Sequence, residues 1–295
     1  MNTDSYYEIG ASHRTCEDYT LTGQYDGMAY AILCDGCSDC DHDAVGARIP
    51  SHTDVGARLL AHITKGAVIY LKKRGIIGTD VYPMLLQELL VRKCLEIQQS
   101  LGVTPDVFDA TLLVSVVLDG KATTIGWGDG YLIFVKKDNT IDVVEAVYSS
   151  GAPYYLSYEL SLGKKEAYTL AYGNDPISLN EYTLNTSGDV LKTSTKDLFP
   201  TFSHTMFHQS STDDLKAIVL SSDGANTYQD NPKGILQSGE EKRQYKAIEI
   251  IPTMVRYKSL VGEFATRRML RMKADMEKEN KTHFDDISCA AIIVD

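Results

Sequence analysis

The sequence predicts an α+β chain: apolar runs of strand length, joined by short turns through the middle, lie between an early and a late pair of helical segments. The strand-like runs are Met28 to Cys34, Thr111 to Leu118, Ala122 to Ile125, Tyr131 to Val135, Leu215 to Leu220 and Ser288 to Val294, bounded by Gly, Asp and Asn. Short links between them imply antiparallel sheets. Leu59, Leu60, Ile63, Val68 and Leu71 repeat at helical spacing over Val55 to Arg74, and a second helical segment runs from Val81 to Ser100. Two more are expected from Glu241 to Tyr257, where Pro252 bends or ends the helix, and from Ser259 to Glu279. The polar stretch 173–211 is the least regular part and reads as an insertion or flap within one domain spanning 1–295.

Composition narrows the function classes. The 295 residues carry 40 Asp and Glu against 29 Lys and Arg, a formal charge of −11, which disfavours nucleic acid and anionic membrane surfaces as partners and favours an acidic pocket for cations. No run approaches the ~18 apolar residues of a membrane span, and the start has no basic-then-apolar leader, so the expected location is the cytoplasm. Six cysteines in so long a chain are too few for a disulfide scaffold. Cys34-x2-Cys37-x2-Cys40 leaves three readings open: structural thiols, a soft-metal site, or redox control of the neighbouring aspartates.

Asp-Gly occurs five times, and the contexts differ. Asp26-Gly27 and Asp119-Gly120 each sit between two apolar runs and read as hairpin turns. Asp35-Gly36 and Asp223-Gly224 follow strands but lead into polar loops, and Asp285-Asp286 stands just before the last strand. Three strands therefore end in carboxylates. If they converge, their repulsion requires protons or cations between them, and hard oxygen ligands suit Mg or Mn.

The order of motifs resembles the protein phosphatase 2C family of metal-dependent Ser/Thr phosphatases, in a divergent bacterial or phage-type branch. The landmarks are Gly10-x-Ser12-His13 followed by Glu17-Asp18, Ala31-Ile32-Leu33-Cys34-Asp35-Gly36, Asp109-Ala110-Thr111-Leu112, Gly126-Trp127-Gly128-Asp129-Gly130, and Ser222-Asp223-Gly224 with Asp285-Asp286-Ile287-Ser288. The resemblance implies two antiparallel sheets packed face to face with helix pairs outside, a four-layer α-β-β-α sandwich. It implies two Mn or Mg ions, with Asp35 bridging them, the Gly36 carbonyl, Asp223 and Asp285 completing their shells, and Glu17 or Asp18 helping to hold the second. Asp129 would support a third, weaker metal, a role compatible with a hairpin turn before Tyr131. A water shared by the ions would attack the phosphate of a phosphorylated protein directly, with Asp35, Asp223 and Asp285 as the catalytic set. The family's phosphate-holding Arg is replaced by His13, with Arg14 adjacent, and Cys37 stands where many eukaryotic members carry His. Those departures keep a second reading open, a pseudophosphatase that binds phosphoproteins on the same fold. His283, just before Asp285, is a candidate proton donor or phosphate ligand.

Overall fold

The computed structural model describes residues 1–37, 52–173, 177–198, 204–230 and 243–294. The chain opens with β1 (Asn2–Glu8), β2 (Asp18–Tyr25) and β3 (Met28–Gly36), followed by α1 (Thr53–Lys73) and α2 (Tyr82–Leu101). A meander of β4 (Ala110–Leu118), β5 (Lys121–Trp127), β6 (Gly130–Lys136) and β7 (Ile141–Tyr148) leads to α3 (Leu162–Tyr172). Then come β8 (Ile177–Leu184), β9 (Val190–Leu198), β10 (Met206–Ser211), β11 (Leu215–Ser221), β12 (Tyr228–Asp230), α4 (Ala247–Met254), α5 (Phe264–Lys278), β13 (Lys281–His283) and β14 (Ile287–Ile293).

The strands form a seven-stranded sheet ordered β1-β14-β11-β6-β7-β8-β9, a five-stranded sheet ordered β10-β5-β4-β3-β2, and a small β12-β13 pair. Neighbours run antiparallel. Three apolar layers define a four-layer α-β-β-α sandwich. Ile32, Val114 and Trp127 of the five-stranded sheet pack with Leu60, Val68 and Leu86 of α1 and α2. Ile133, Val219 and Ala291 of the seven-stranded sheet pack with Ile251 and Met269 of α4 and α5. Between the sheets lie Ala31, Leu33 and Leu113 from one side and Leu132, Ile218 and Ile292 from the other. A central strand thus buries both faces, which is why Ala31-Ile32-Leu33-Cys34 shows no polar alternation.

Local sequence explains the elements. Asp26 and Gly27 both take positive φ (45° and 76°), as do Asp119 and Gly120 (50° and 73°), the geometry of a two-residue hairpin turn. Pro83 stands in the first turn of α2 and Gly102, at φ 65°, ends it. Asp54 opens α1 and Lys72 and Lys73 close it, matching the helix dipole. Pro252 lies inside α4, which stops two residues later at Met254. No helix among the described residues is long and apolar enough to cross a membrane.

Two expectations are corrected. Residues 173–211, read as irregular and a candidate flap, carry β8, β9 and β10. Their polarity reflects wet positions toward sheet edges, where burial alternates, and not a lack of structure. The segment before these strands holds a 3₁₀ turn at Leu156–Leu160 and α3. Gly128-Asp129 is not a hairpin turn either: β5 belongs to the five-stranded sheet and β6 to the other, so these two residues carry the chain between sheets.

Candidate active site

That crossing determines where the carboxylates meet. In the five-stranded sheet, Asp18, Asp35 and Thr111 stand in one row across β2, β3 and β4. In the other sheet, Tyr131, Ser221 and Cys289 stand in one row, and just beyond them the chain carries Asp129, Asp223 and Asp285-Asp286. Since only Gly128 and Asp129 separate the end of β5 from the start of β6, the two rows lie at one end of the sandwich. Thr111 ties them together by donating its Oγ1 hydrogen to Asp129 at 2.8 Å.

Asp18 is the most demanding member. It is 1% exposed, and neither carboxylate oxygen accepts a hydrogen bond among the described residues. Burial pushes its carboxyl up to about 7, although Asp35, Ser288 and Ser222 favour the charged form in part. Asp35 is held well above the ordinary carboxylate range by burial and then by the negative charge of Asp18 and Asp223. Burial raises Asp223 to about 8, with Asp129 and Asp285 adding repulsion. Asp129 and Asp285 shift upward for the same first reason. A buried group of like charges is what a bound cation would relieve.

The backbone around these groups is built for close approach. A Cβ on Gly224 would lie 1.8 Å from the Asp286 carbonyl oxygen, so only glycine lets the Asp223 turn seat against the segment preceding β14. Thr227 Oγ1 accepts from the Phe284 and Asp285 amides at 3.2 Å each, fixing the same junction from the other side.

Asp286 is a buried anchor whose role the sequence did not disclose. Its carboxylate accepts the Gly10 amide at 2.7 Å and the Glu17 amide at 2.5 Å, pinning both ends of the loop between β1 and β2. That loop places His13 with Nε2 3.3 Å from Asp285 and Nδ1 3.1 Å from Asp286. Arg14 beside it is exposed and enters no ion pair among the described residues. Glu17 accepts a hydrogen bond from Thr53 Oγ1 at 2.8 Å, at the start of α1. Gly36 ends β3 with its amide on the Glu17 carbonyl at 3.2 Å. His283 is buried, with Nδ1 2.8 Å from the Asp285 carbonyl and its ring against Tyr228, so it braces the backbone.

The segment from Tyr155 through α3 supplies further neighbours that the sequence reading missed. Tyr155 brings its hydroxyl to Cys37 near Asp129 and Asp35, and burial first, then Cys37, keeps it protonated. Lys164 of α3 grips both oxygens of Asp109 at 2.7 Å, with Ser157 donating to the same carboxylate at 2.5 Å. No short motif marks these contacts, because the partners of Asp109 lie about fifty residues away and Cys37 lies farther still from Tyr155. Cys34 lies in the core on the helix side of its strand, and Cys40, like the second Gly-Ala-Arg at 46–48, lies outside the described residues.

Among the described residues no three His, Cys, Asp or Glu groups form a ready-made metal cage. Mg-type ions nevertheless keep several waters and need only one or two carboxylates directly. The orphaned oxygens of Asp18 beside Asp35 and Asp223 fit such an ion in donor chemistry, all hard oxygen.

The chain is thus a four-layer α-β-β-α sandwich with carboxylates gathered where its two sheets meet. A family model described as Protein phosphatase 2C matches residues 9–245, and the chain belongs to that family. Among solved structures it is similar to the serine/threonine phosphatase Stp1 from Staphylococcus aureus, with 11% identity, 99% of this chain and 94% of that one covered, and a TM-score of 0.52. It is similar also to the S. agalactiae serine/threonine phosphatase, with 11% identity, 100% and 99% covered, and a TM-score of 0.52. At these identities the likeness is one of fold. No curated protein sequence matches the chain.

Proposed function

We propose that the chain is a metal-dependent phosphoprotein phosphatase that hydrolyses Ser/Thr phosphomonoesters with two Mn or Mg ions. The observation that carries this reading is Asp18: its carboxylate is fully buried beside Asp35, and among the described residues only Asp35, Ser222 and Ser288 come near enough to favour its charge, so a cation would balance it. Asp35, the Gly36 carbonyl, Asp223 and Asp285 would hold the ions, Asp18 and Glu17 would support the second, and Asp129 would serve a third. Bound there, the ions supply the positive charge that activates water and offsets charge at phosphorus. The chain's own residues orient the site: Asp286 fixes the loop that places His13 Nε2 3.3 Å from Asp285, and the exposed Arg14 on that loop would meet the substrate phosphate. No Ser or Cys nucleophile is required. We place this activity in the cytoplasm, where reduced thiols such as Cys16, Cys34, Cys94 and Cys289 persist.

The placement of His13 where the family carries a phosphate-holding Arg, with its ring 3.1–3.3 Å from Asp285 and Asp286, favours one rival, a pseudophosphatase that binds phosphoproteins without cleaving them. Hydrolysis of p-nitrophenyl phosphate and of a phosphopeptide, with Mn, with chelator and with Asp35→Asn, separates the two. Activity lost under both treatments is expected. Activity that survives both would overturn the metal mechanism, and no activity in any condition would favour the rival.

A further inference from the structure

Far from the carboxylates by charge, but not by chain, the outer helices frame a second feature. A groove of about 640 Å³ runs between α4 and α5, with Ile250 and Met272 buried in its floor. Its lining holds six cationic and three acidic side chains on a protein whose formal charge is −11. The three carboxylates are already engaged: Glu249 with Arg243 at 2.6 Å, Asp275 with Lys278 at 3.2 Å, and Glu279 with Lys281 at 2.5 Å. Arg256, Lys258, Arg268 and Arg271 remain, and none of them enters an ion pair among the described residues.

The arginines sit close enough to feel one another. Burial lowers the Arg268 pKa; Asp275 offsets part of this, while Arg256 and Arg271 add to it. Arg268 Nε is held by the Thr253 carbonyl at 2.6 Å and Arg256 by the Thr186 carbonyl at 2.6 Å, so both are oriented without being neutralised. Arg271 and Lys258 are exposed, and their side chains make no hydrogen bond to the described residues. Pre-oriented guanidinium groups facing one groove are the usual means of holding carboxylates or phosphates.

We propose that this groove docks an acidic segment, rich in Asp and Glu, of the same phosphoprotein whose phosphate enters the carboxylate site. The link to substrate rests on the phosphatase reading. Chain reach supports it: Lys281, on the groove, is four residues before Asp285, so their Cα atoms stand no more than ~14 Å apart. A segment of about eight extended residues spans roughly 26 Å, enough to lie in the groove and still present a phosphorylated residue at the site. The overall negative charge favours a short acidic peptide over a long polyanion, which would meet repulsive surface beyond the groove.

The test uses the full chain in chelator, with a fluorescein-labelled Asp/Glu peptide and its Asn/Gln counterpart, read by fluorescence anisotropy. The acidic peptide should bind in a salt-sensitive manner and the amide peptide should not. Lys258→Glu with Arg271→Glu alters two exposed side chains that have no ion-pair partner among the described residues, and should weaken binding by about tenfold or more. With Mn, the same variant should raise KM about tenfold for an acid-flanked phosphopeptide, leaving kcat and p-nitrophenyl phosphate hydrolysis unchanged. Unchanged peptide binding in the variant would overturn the proposal. So would a single-stranded oligonucleotide or an anionic vesicle binding through Lys258 and Arg271 in place of the peptide. A chain that holds the acidic peptide through these residues but hydrolyses nothing would sink the phosphatase reading and leave the docking surface standing.

Discussion

Replacing Asp18 by Asn should make the metal-free protein more stable near neutral pH, the reverse of what removing a buried polar contact usually does. The folded carboxyl is pushed from 3.8 up to about 7, so between those values the folded chain holds a proton that the unfolded chain has released. Stability therefore falls as pH rises through that window, and the full penalty is present above the folded value. About three units at ~1.4 kcal/mol each give a penalty on the order of 4 kcal/mol. At ~2 °C per kcal/mol for a chain of this size, Asp18→Asn should raise Tm by about 8 °C near pH 8 in chelator. Near pH 5 little more than one of those units has been crossed, so the advantage should shrink to about a third. Thermal unfolding across this pH range, with chelator and with Mn, reads both effects. Mn should stabilise the parent more than the variant, since a cation and a proton answer the same charge. A variant no more stable than the parent near pH 8 without metal would refute the idea that Asp18 is an uncompensated buried carboxylate.

Gly224→Ala forces a Cβ to within 1.8 Å of the Asp286 carbonyl, and should cost about 1–3 kcal/mol in urea unfolding while abolishing phosphatase turnover; an active, fully stable variant would show that the Asp223 turn tolerates movement. Arg14→Ala touches no intramolecular ion pair among the described residues and should leave Tm unchanged while raising KM for a phosphopeptide roughly tenfold, and an unaltered KM would remove Arg14 from phosphate binding. Lys164→Met strands the Asp109 carboxylate with Ser157 alone, so unfolding should become easier by about 2 kcal/mol, a loss that Asp109→Asn in the same background should partly restore.

Much of this architecture was legible in the residues, for a reason that also explains what was not. β3, β4, β5, β6, β11 and β14 were visible because burial on both faces leaves uninterrupted apolar runs. β7 and β8 were missed because their burial alternates and polar residues dilute the signal, and β12 and β13 because three residues carry no period. The strand-end carboxylates could be singled out because Asp35-Gly36 and Asp223-Gly224 lead nowhere a return strand could begin. Asp129-Gly130 misled because a tight turn and a step between sheets look alike over two residues, and only the pairing partners tell them apart. Asp286, Tyr155 and Lys164 work through contacts too distant in the chain for any local pattern to record.

The clasp between the Gly10 amide and the Asp286 side chain spans 276 positions, and β1 completes its ladder only against β14. During synthesis the first strand must therefore wait, unpartnered on that edge, until the segment around 285–293 has left the ribosome. Asp18 and Asp35 face each other across an early local hairpin, and Asp223 and Asp285 join them only in that later closing event, which completes the acidic centre.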